Sequence, residues 1–175
     1  RYWVHSNMLT VNGQKMSKPL GNSFLPAELF SGNHALLEKG YSPCAVRFFM
    51  LQSHYSSTLD FSNEALQAAE KGYRKLAQAL KTLRNLEPPS RPKGTNTERV
   101  NDFRKLIADC HANMGDDFNT AKTLAVLFEM AARINDLKSG NASLDEVDSG
   151  TFTDFRNTFI GFIEEVLGLK EEISQ

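Results

Sequence analysis

The chain has 175 residues, of which 41% are hydrophobic, and its formal net charge is −1 at pH 7. This length fits one domain, or one helical domain with the edge of another, and the apolar content is enough for a buried core. A charge so close to zero excludes a basic field over the whole surface, so any contact with nucleic acid has to come from a local patch. No apolar run approaches the roughly 20 residues that span a bilayer, and no signal-peptide pattern is found, so we expect no membrane association.

The first 25 residues are patterned as a strand, a tight turn and a loop. Residues 8–11 are strand-like, and Asn12-Gly13 is a strong hairpin signal. The chain then returns through Gln14 into the run Lys15-Met16-Ser17-Lys18-Pro19-Leu20-Gly21-Asn22. An exposed loop with two lysines suits a polyphosphate, because each ammonium group is a flexible point charge with three donors. It is not a Walker A loop, since no G-x-x-x-x-G-K precedes it. The alternative is a solvated turn with two ordinary lysines.

A helical connector is predicted after the loop. Pro26 opens a short helix that Gly32-Asn33 ends, and Ser42-Pro43 has the pattern of an N-cap followed by proline at the first helical position. Residues 45–51 are apolar on nearly all sides. This pattern predicts a buried helix that supports the loop.

The best-defined helix is predicted from about Ser62 to Leu86. Its apolar residues repeat at steps of three and four and form one core stripe: Leu66, Ala69, Tyr73, Leu76, Leu80 and Leu83. Four basic residues share the opposite face: Lys71, Arg74, Lys75 and Lys81. A charged face of this kind is usually only solvated, but it is also how a nearly neutral protein would contact phosphates.

Three further helices are predicted beyond a Pro-, Gly- and Ser-rich linker at 87–96. One begins at Thr97, one runs over about 119–138 before Gly140, and one follows the stripe Phe152, Phe155, Phe159, Phe162 and Val166. We interpret the phenylalanine stripe as core rather than as a cofactor pocket. The predicted fold is mainly α, with a short hairpin and loop, a connector and an antiparallel helix bundle. We expect the domain division to lie between 1–60 and 61–175.

The sequence offers no spacing typical of a metal site or a disulfide framework. Cys44 and Cys110 are single and far apart, which favours buried small hydrophobes and agrees with a reducing cytoplasm. The four histidines are scattered, and zinc needs about four converging ligands. Asp116, Asp117 and Asn119 suggest a metal or acid–base site, but residues of these types ahead of an apolar helix are better explained as N-cap and first-turn residues.

Two motifs carry a resemblance to a known family. The run from Lys15 to Asn22 resembles the Lys-Met-Ser-Lys-Ser signature of class I aminoacyl-tRNA synthetases. The residues before it are similar to the cysteinyl-tRNA synthetase form in two stretches: Arg1-Tyr2-Trp3-Val4-His5 and Met8-Leu9-Thr10-Val11-Asn12-Gly13-Gln14. The stretch Asp116-Asp117-Phe118-Asn119-Thr120-Ala121 resembles the Asp-Asp-Phe-Asn-Thr-Pro segment of that family's helical domain. The two matches occur in the family's order and near its spacing.

The resemblance implies roles for the loop residues. In this family the loop closes over ATP, so Lys18 is expected to approach the ATP phosphates and Lys15 to assist, while Met16 and Ser17 shape the loop. Pro19 stands where the family usually has serine, and proline removes a hydroxyl and a backbone N–H. This is either tolerated variation or a change that weakens the closed loop.

The resemblance also implies a parent enzyme and its partners. The parent joins cysteine to its tRNA through cysteinyl-adenylate, with ATP and magnesium, and carries a zinc site. Neither the family's His-Ile-Gly-His motif nor that zinc site occurs in this sequence, so we expect a piece of a longer protein that is inactive by itself. We expect the parent protein to be a cytoplasmic monomer. The basic face of the long helix is expected to meet tRNA. The alternatives are another class I synthetase, such as the arginine or methionine enzyme, and a non-catalytic helical RNA-binding or interaction module.

Overall fold

The computed structural model describes residues 2–87 and 94–170, so residues 88–93 of the predicted linker lie outside the described residues. The chain forms two units, Arg1–Tyr73 and Arg74–Gln175, and the boundary between them falls within one long helix. A division at residue 60 stays a prediction. None of the described helices combines the length and the apolar character needed to cross a membrane.

A small three-stranded sheet carries the start of the first unit. Strand β1 (Leu9–Val11) pairs antiparallel with β2 (Gln14–Lys15) and parallel with β3 (Leu59–Phe61), in the order β2-β1-β3. Asn12 and Gly13 join the first two strands with φ values of 49° and 76°, as a type I′ hairpin turn requires. The predicted hairpin is therefore confirmed, whereas β3 is an addition that the sequence did not indicate.

The connector contains two short helices, α1 (Pro26–Ser31) and α2 (Pro43–Leu51). Helix α1 ends at Gly32, whose φ of 75° is left-handed. Helix α2 begins as predicted, because the Ser42 hydroxyl accepts a hydrogen bond from the Ala45 N–H. Between them the chain folds back so closely that a Cβ added to Gly40 would lie 2.4 Å from the Phe30 carbonyl oxygen. Glycine is thus required at this crossing.

Helix α3 (Asn63–Arg84) has the apolar stripe that its sequence predicts. All six stripe residues are buried. The helix begins where the Ser62 hydroxyl accepts a hydrogen bond from the Ala65 N–H. Asn63 then fixes the connector loop, because its side-chain amide donates to the Leu36 carbonyl and accepts from the Glu38 N–H. The first turn of α3 is thereby tied to the rest of the first unit.

The second unit is a helix bundle in which α4 (Thr97–Gly115) packs against both α5 (Thr120–Ser139) and α6 (Ser149–Gly161). Its core includes the stacked rings of Phe103 and Phe155, with centroids 4.3 Å apart. The Arg156 guanidinium donates to the Leu86 and Arg84 carbonyls, which ties α6 to the end of α3. The mainly α fold with a helix bundle is confirmed.

Two details of the predicted core differ in the structure. The four phenylalanines of the last stripe are buried, but Val166 is exposed because Phe162–Val166 forms a π-helical turn that shifts the helical register. Cys110 is buried beside Met130, and burial raises the pKa of its thiol to about 12. Cys44 is only half-buried, so the prediction of a buried cysteine holds for Cys110 alone.

Candidate functional site

The lysine loop, residues 15–22, leaves the sheet directly at the end of β2. Lys15 is the last residue of this strand, and Lys18 follows three residues later, with both side chains exposed. Met16 and Ser17, between them, are half-buried. None of the ion pairs within the described residues involves either lysine. Two ammonium groups are thus presented on one short segment without a carboxylate partner from the described part of the chain.

A buried asparagine closes the lysine loop. The Asn22 side chain is 6% exposed, and its Oδ1 accepts a hydrogen bond from the Ser17 N–H at 2.8 Å. Its Nδ2 donates to the Lys15 carbonyl at 3.1 Å. The side-chain amide therefore bonds the backbone on both sides of Met16. Asn22 is part of the sequence motif, but no role was predicted for it.

The tip of the lysine loop is a β-turn over residues 18–21. The Gly21 N–H donates to the Lys18 carbonyl at 3.0 Å, which places Pro19 at the second position of the turn. Proline is favoured there, because its fixed φ suits the position and the turn does not use its missing N–H. The backbone of this loop therefore accommodates Pro19 in place of serine.

The stem of the loop is anchored by a residue distant in sequence. Asp60, on β3, accepts hydrogen bonds through Oδ1 from the Thr10 hydroxyl at 2.6 Å and from the Gly13 N–H at 2.8 Å. The Asn12 N–H also donates to the Phe61 carbonyl at 3.0 Å. This anchor was not predicted, because no local pattern in the sequence connects Asp60 with residues about fifty positions earlier.

The four basic residues predicted on α3 lie on one face of that helix. Lys71, Arg74, Lys75 and Lys81 are all exposed. At about 100° per residue they fall within an arc of roughly 120°, centred opposite the apolar stripe. The helix therefore carries a basic face, and its role in binding tRNA stays a prediction.

The acidic segment ahead of α5 joins α4 to α5, and one of its residues caps α5. Asn119 is the N-cap of α5, because its Oδ1 accepts from the Lys122 N–H at 3.1 Å, which confirms the prediction for this residue. Asp116 instead ends α4, and its carboxylate lies 3.6 Å from the Lys122 ammonium. Asp117 and Phe118 reverse the chain with φ values of 56° and 52°. Within residues 2–87 and 94–170, no group of three or more His, Cys, Asp or Glu could hold a metal ion.

Two family profiles match the chain in the order of its two units. The profile described as "tRNA synthetases class I (C) catalytic domain" matches residues 1–71, which include the lysine loop. The profile described as "DALR domain" matches residues 110–171, and the described part of this range, residues 110–170, lies in the helix bundle.

Curated proteins named cysteine–tRNA ligase match nearly the whole chain. The protein of Cytophaga hutchinsonii is 45% identical over 174 residues, which are 99% of this chain and 35% of that protein. The protein of Bacteroides thetaiotaomicron is 46% identical over 171 residues, covering 98% of this chain and 33% of its own length. That of Prochlorococcus marinus is 35% identical, and the match covers 99% of this chain and 36% of that protein. The chain spans about a third of the length of these relatives, and it belongs to the cysteine–tRNA ligase family of class I aminoacyl-tRNA synthetases.

Proposed function

We propose that this chain supplies the ATP-phosphate loop and a tRNA-facing helix of a cysteine–tRNA ligase. The complete enzyme would activate cysteine with ATP and transfer it to its tRNA. The observation that carries the proposal is the lysine loop itself: two exposed ammonium groups on a segment that belongs to the part of the chain matched by the class I catalytic profile. These residues form only part of a catalytic site, so we expect the 175-residue chain to be inactive by itself.

The loop lysines would act on charge that develops during activation. The cysteine carboxylate oxygen bonds to the α-phosphorus of ATP as the bond to the bridging oxygen breaks, and pyrophosphate leaves with the bonding pair. Lys18, assisted by Lys15, would stabilise this charge without a proton transfer. At about 4 Å and an effective dielectric near 20, one such contact is worth roughly 4 kcal/mol before desolvation. Met16 and Ser17 would shape the loop around the phosphates.

The two metals that the family resemblance implies would not be bound by the lysine loop. Magnesium would arrive with ATP as part of the substrate and share the neutralisation of the phosphates. Zinc, which the family resemblance implies for the complete enzyme, would be bound by residues outside this chain.

Recognition of tRNA would use the basic face of α3. The exposed cations at Lys71, Arg74, Lys75 and Lys81 would contact phosphates, which requires no basic charge over the rest of the protein. The enzyme would work as a monomer in the cytoplasm.

The proposed role of the loop is tested by Lys18→Ala in the complete enzyme. We expect kcat for cysteine-dependent ATP–pyrophosphate exchange to fall about a hundred- to thousandfold, because a preorganised cation is lost, with KM for cysteine nearly unchanged. Lys138→Ala, which removes another exposed lysine from the last turn of α5, is the matched control and should leave exchange intact. If Lys18→Ala kept kcat and raised only KM for ATP, Lys18 would be a ground-state binder.

A further inference from the structure

We infer that Asn22 is a positioning residue, whose buried side-chain amide holds the lysine loop in the arrangement that presents Lys15 and Lys18 to the phosphates of ATP. This inference rests on the proposed function of the loop and adds a residue to it. Asn22 itself does not reach a solvent-exposed position from which it could contact a ligand, since its side chain is buried beneath the segment that carries the lysines.

The geometry of the two hydrogen bonds makes Asn22 act as a peptide group would. One bond is accepted from the Ser17 N–H and the other is donated to the Lys15 carbonyl, so the side-chain amide pairs with the backbone as a neighbouring strand does. The two bonded groups flank Met16. The backbone path between the two lysines is therefore fixed by a single side chain.

The turn and the asparagine together close the whole segment. Lys15 lies at the end of β2, the Asn22 bonds hold residues 15–17, and the bond from the Gly21 N–H to the Lys18 carbonyl holds the tip. The backbone that carries the two lysines is thus held by hydrogen bonds within the segment itself. Preorganisation of this kind reduces the ordering cost of binding and keeps the reacting groups aligned.

A side-chain amide satisfies both backbone groups at this position. The site needs one donor and one acceptor, which asparagine provides, whereas an ionised aspartate offers acceptors only and would face the Lys15 carbonyl without a proton. Asn22→Asp removes the donor to the Lys15 carbonyl, and Asn22→Ala removes the partners of both backbone groups, so each variant loses hydrogen bonds that hold residues 15–17.

The test combines Asn22 variants with Lys18→Ala in the complete enzyme. We expect Asn22→Ala and Asn22→Asp to lower kcat for pyrophosphate exchange about ten- to hundredfold, the range that small misplacements of a catalytic group produce, with KM for cysteine nearly unchanged. In the Lys18→Ala background the further fall caused by Asn22→Ala should be much smaller, because the lysine that it positions is gone. Val100→Ala, a buried substitution in α4 of the second unit, controls for a general loss of stability and should leave kcat unchanged.

A second measurement examines the loop without using activity. Trypsin cleaves after lysine except before proline, so within the lysine loop it cuts after Lys15 and not after Lys18. We expect Asn22→Ala to speed cleavage between Lys15 and Met16 severalfold in the complete protein, while Val100→Ala does not.

The outcomes separate this inference from the proposed function. If Lys18→Ala slows exchange but the Asn22 variants do not, or if the two losses multiply fully, Asn22 does not position the lysine. An unchanged tryptic rate in Asn22→Ala would also overturn the inference. If Lys18→Ala has no effect while the tryptic rate rises in Asn22→Ala, the proposed function of the loop is wrong although the amide does hold the loop.

Discussion

Reversing the charge on the basic face of α3 separates tRNA binding from simple solvation. The variant carries Arg74→Glu, Lys75→Glu and Lys81→Glu, three exposed positions on one helix face in the second unit. If each cation contacts one phosphate, we expect weaker tRNA binding with a flatter dependence on salt. We expect the fold to persist, because the three residues lie opposite the buried stripe that includes Leu76, Leu80 and Leu83.

The size of the effect follows from counterion release. Each phosphate contact contributes about −0.9 to the slope of log affinity against log salt on a duplex, so three contacts contribute about −2.7. Between about 50 and 200 mM salt, a fourfold change, these contacts alone would weaken binding by about 40-fold. The variant should lose that part of the salt dependence and retain the remainder.

The assay is fluorescence anisotropy of labelled tRNA titrated with the complete protein at several salt concentrations. A control variant with the same change in net charge carries Arg104→Glu, Lys122→Glu and Lys138→Glu, which are exposed residues of α4 and α5. This control accounts for long-range repulsion of tRNA. Unchanged affinity and slope in the α3 variant, or equal losses in the two variants, would show that the basic face is only solvated.

Two further predictions concern stability and reactivity. Gly40→Ala should destabilise the protein by about 1–3 kcal/mol, because the new Cβ would meet the Phe30 carbonyl oxygen, and it should lower the melting temperature. Gly161→Ala, in α6 with no atom within 4 Å of the new Cβ, is the control and should be neutral or stabilising; an equal loss in both would refute the steric argument. At pH 8 the Cys110 thiol should resist maleimide in the native protein and react after unfolding, because burial raises its pKa to about 12. The half-buried Cys44 should react first. Mass spectrometry of the labelled peptides measures the order of labelling, and the opposite order would contradict the prediction.

The sequence predicted the helices well because their signals are local. Ser42-Pro43 begins α2 through a cap and a proline that act within one turn, and Gly140 ends α5 in the left-handed conformation that glycine favours. The stripe of α3 needs only the helical period. Where the period itself changes, in the π-helical turn Phe162–Val166, the prediction failed at Val166.

The sequence revealed the residues proposed to act on ATP but not those that hold them. Lys15 and Lys18 are conspicuous because two lysines on one short loop have no part in a core. Asn22 resembles any other loop asparagine until its two hydrogen bonds are seen. Strand β3 has only three residues, too few for a periodic pattern, and its pairing with β1 joins segments about fifty residues apart. Pairings of this kind depend on the tertiary fold and leave no local signal.

The lysine loop is therefore held by two sets of contacts, one within the loop and one in the hairpin from which it extends. Within the loop, Asn22 and the turn over residues 18–21 fix the backbone that carries the lysines. Below the loop, Asp60 holds the hairpin through its side chain. The next residue, Phe61, accepts a hydrogen bond from the Asn12 N–H through its carbonyl, and Ser62 caps α3. A substitution at Asp60 would disturb the whole stem together with the start of the helix, whereas a substitution at Asn22 acts on the loop alone. Because of this difference, a substitution at Asn22 can change the geometry of the two lysines without changing the hairpin that carries the loop.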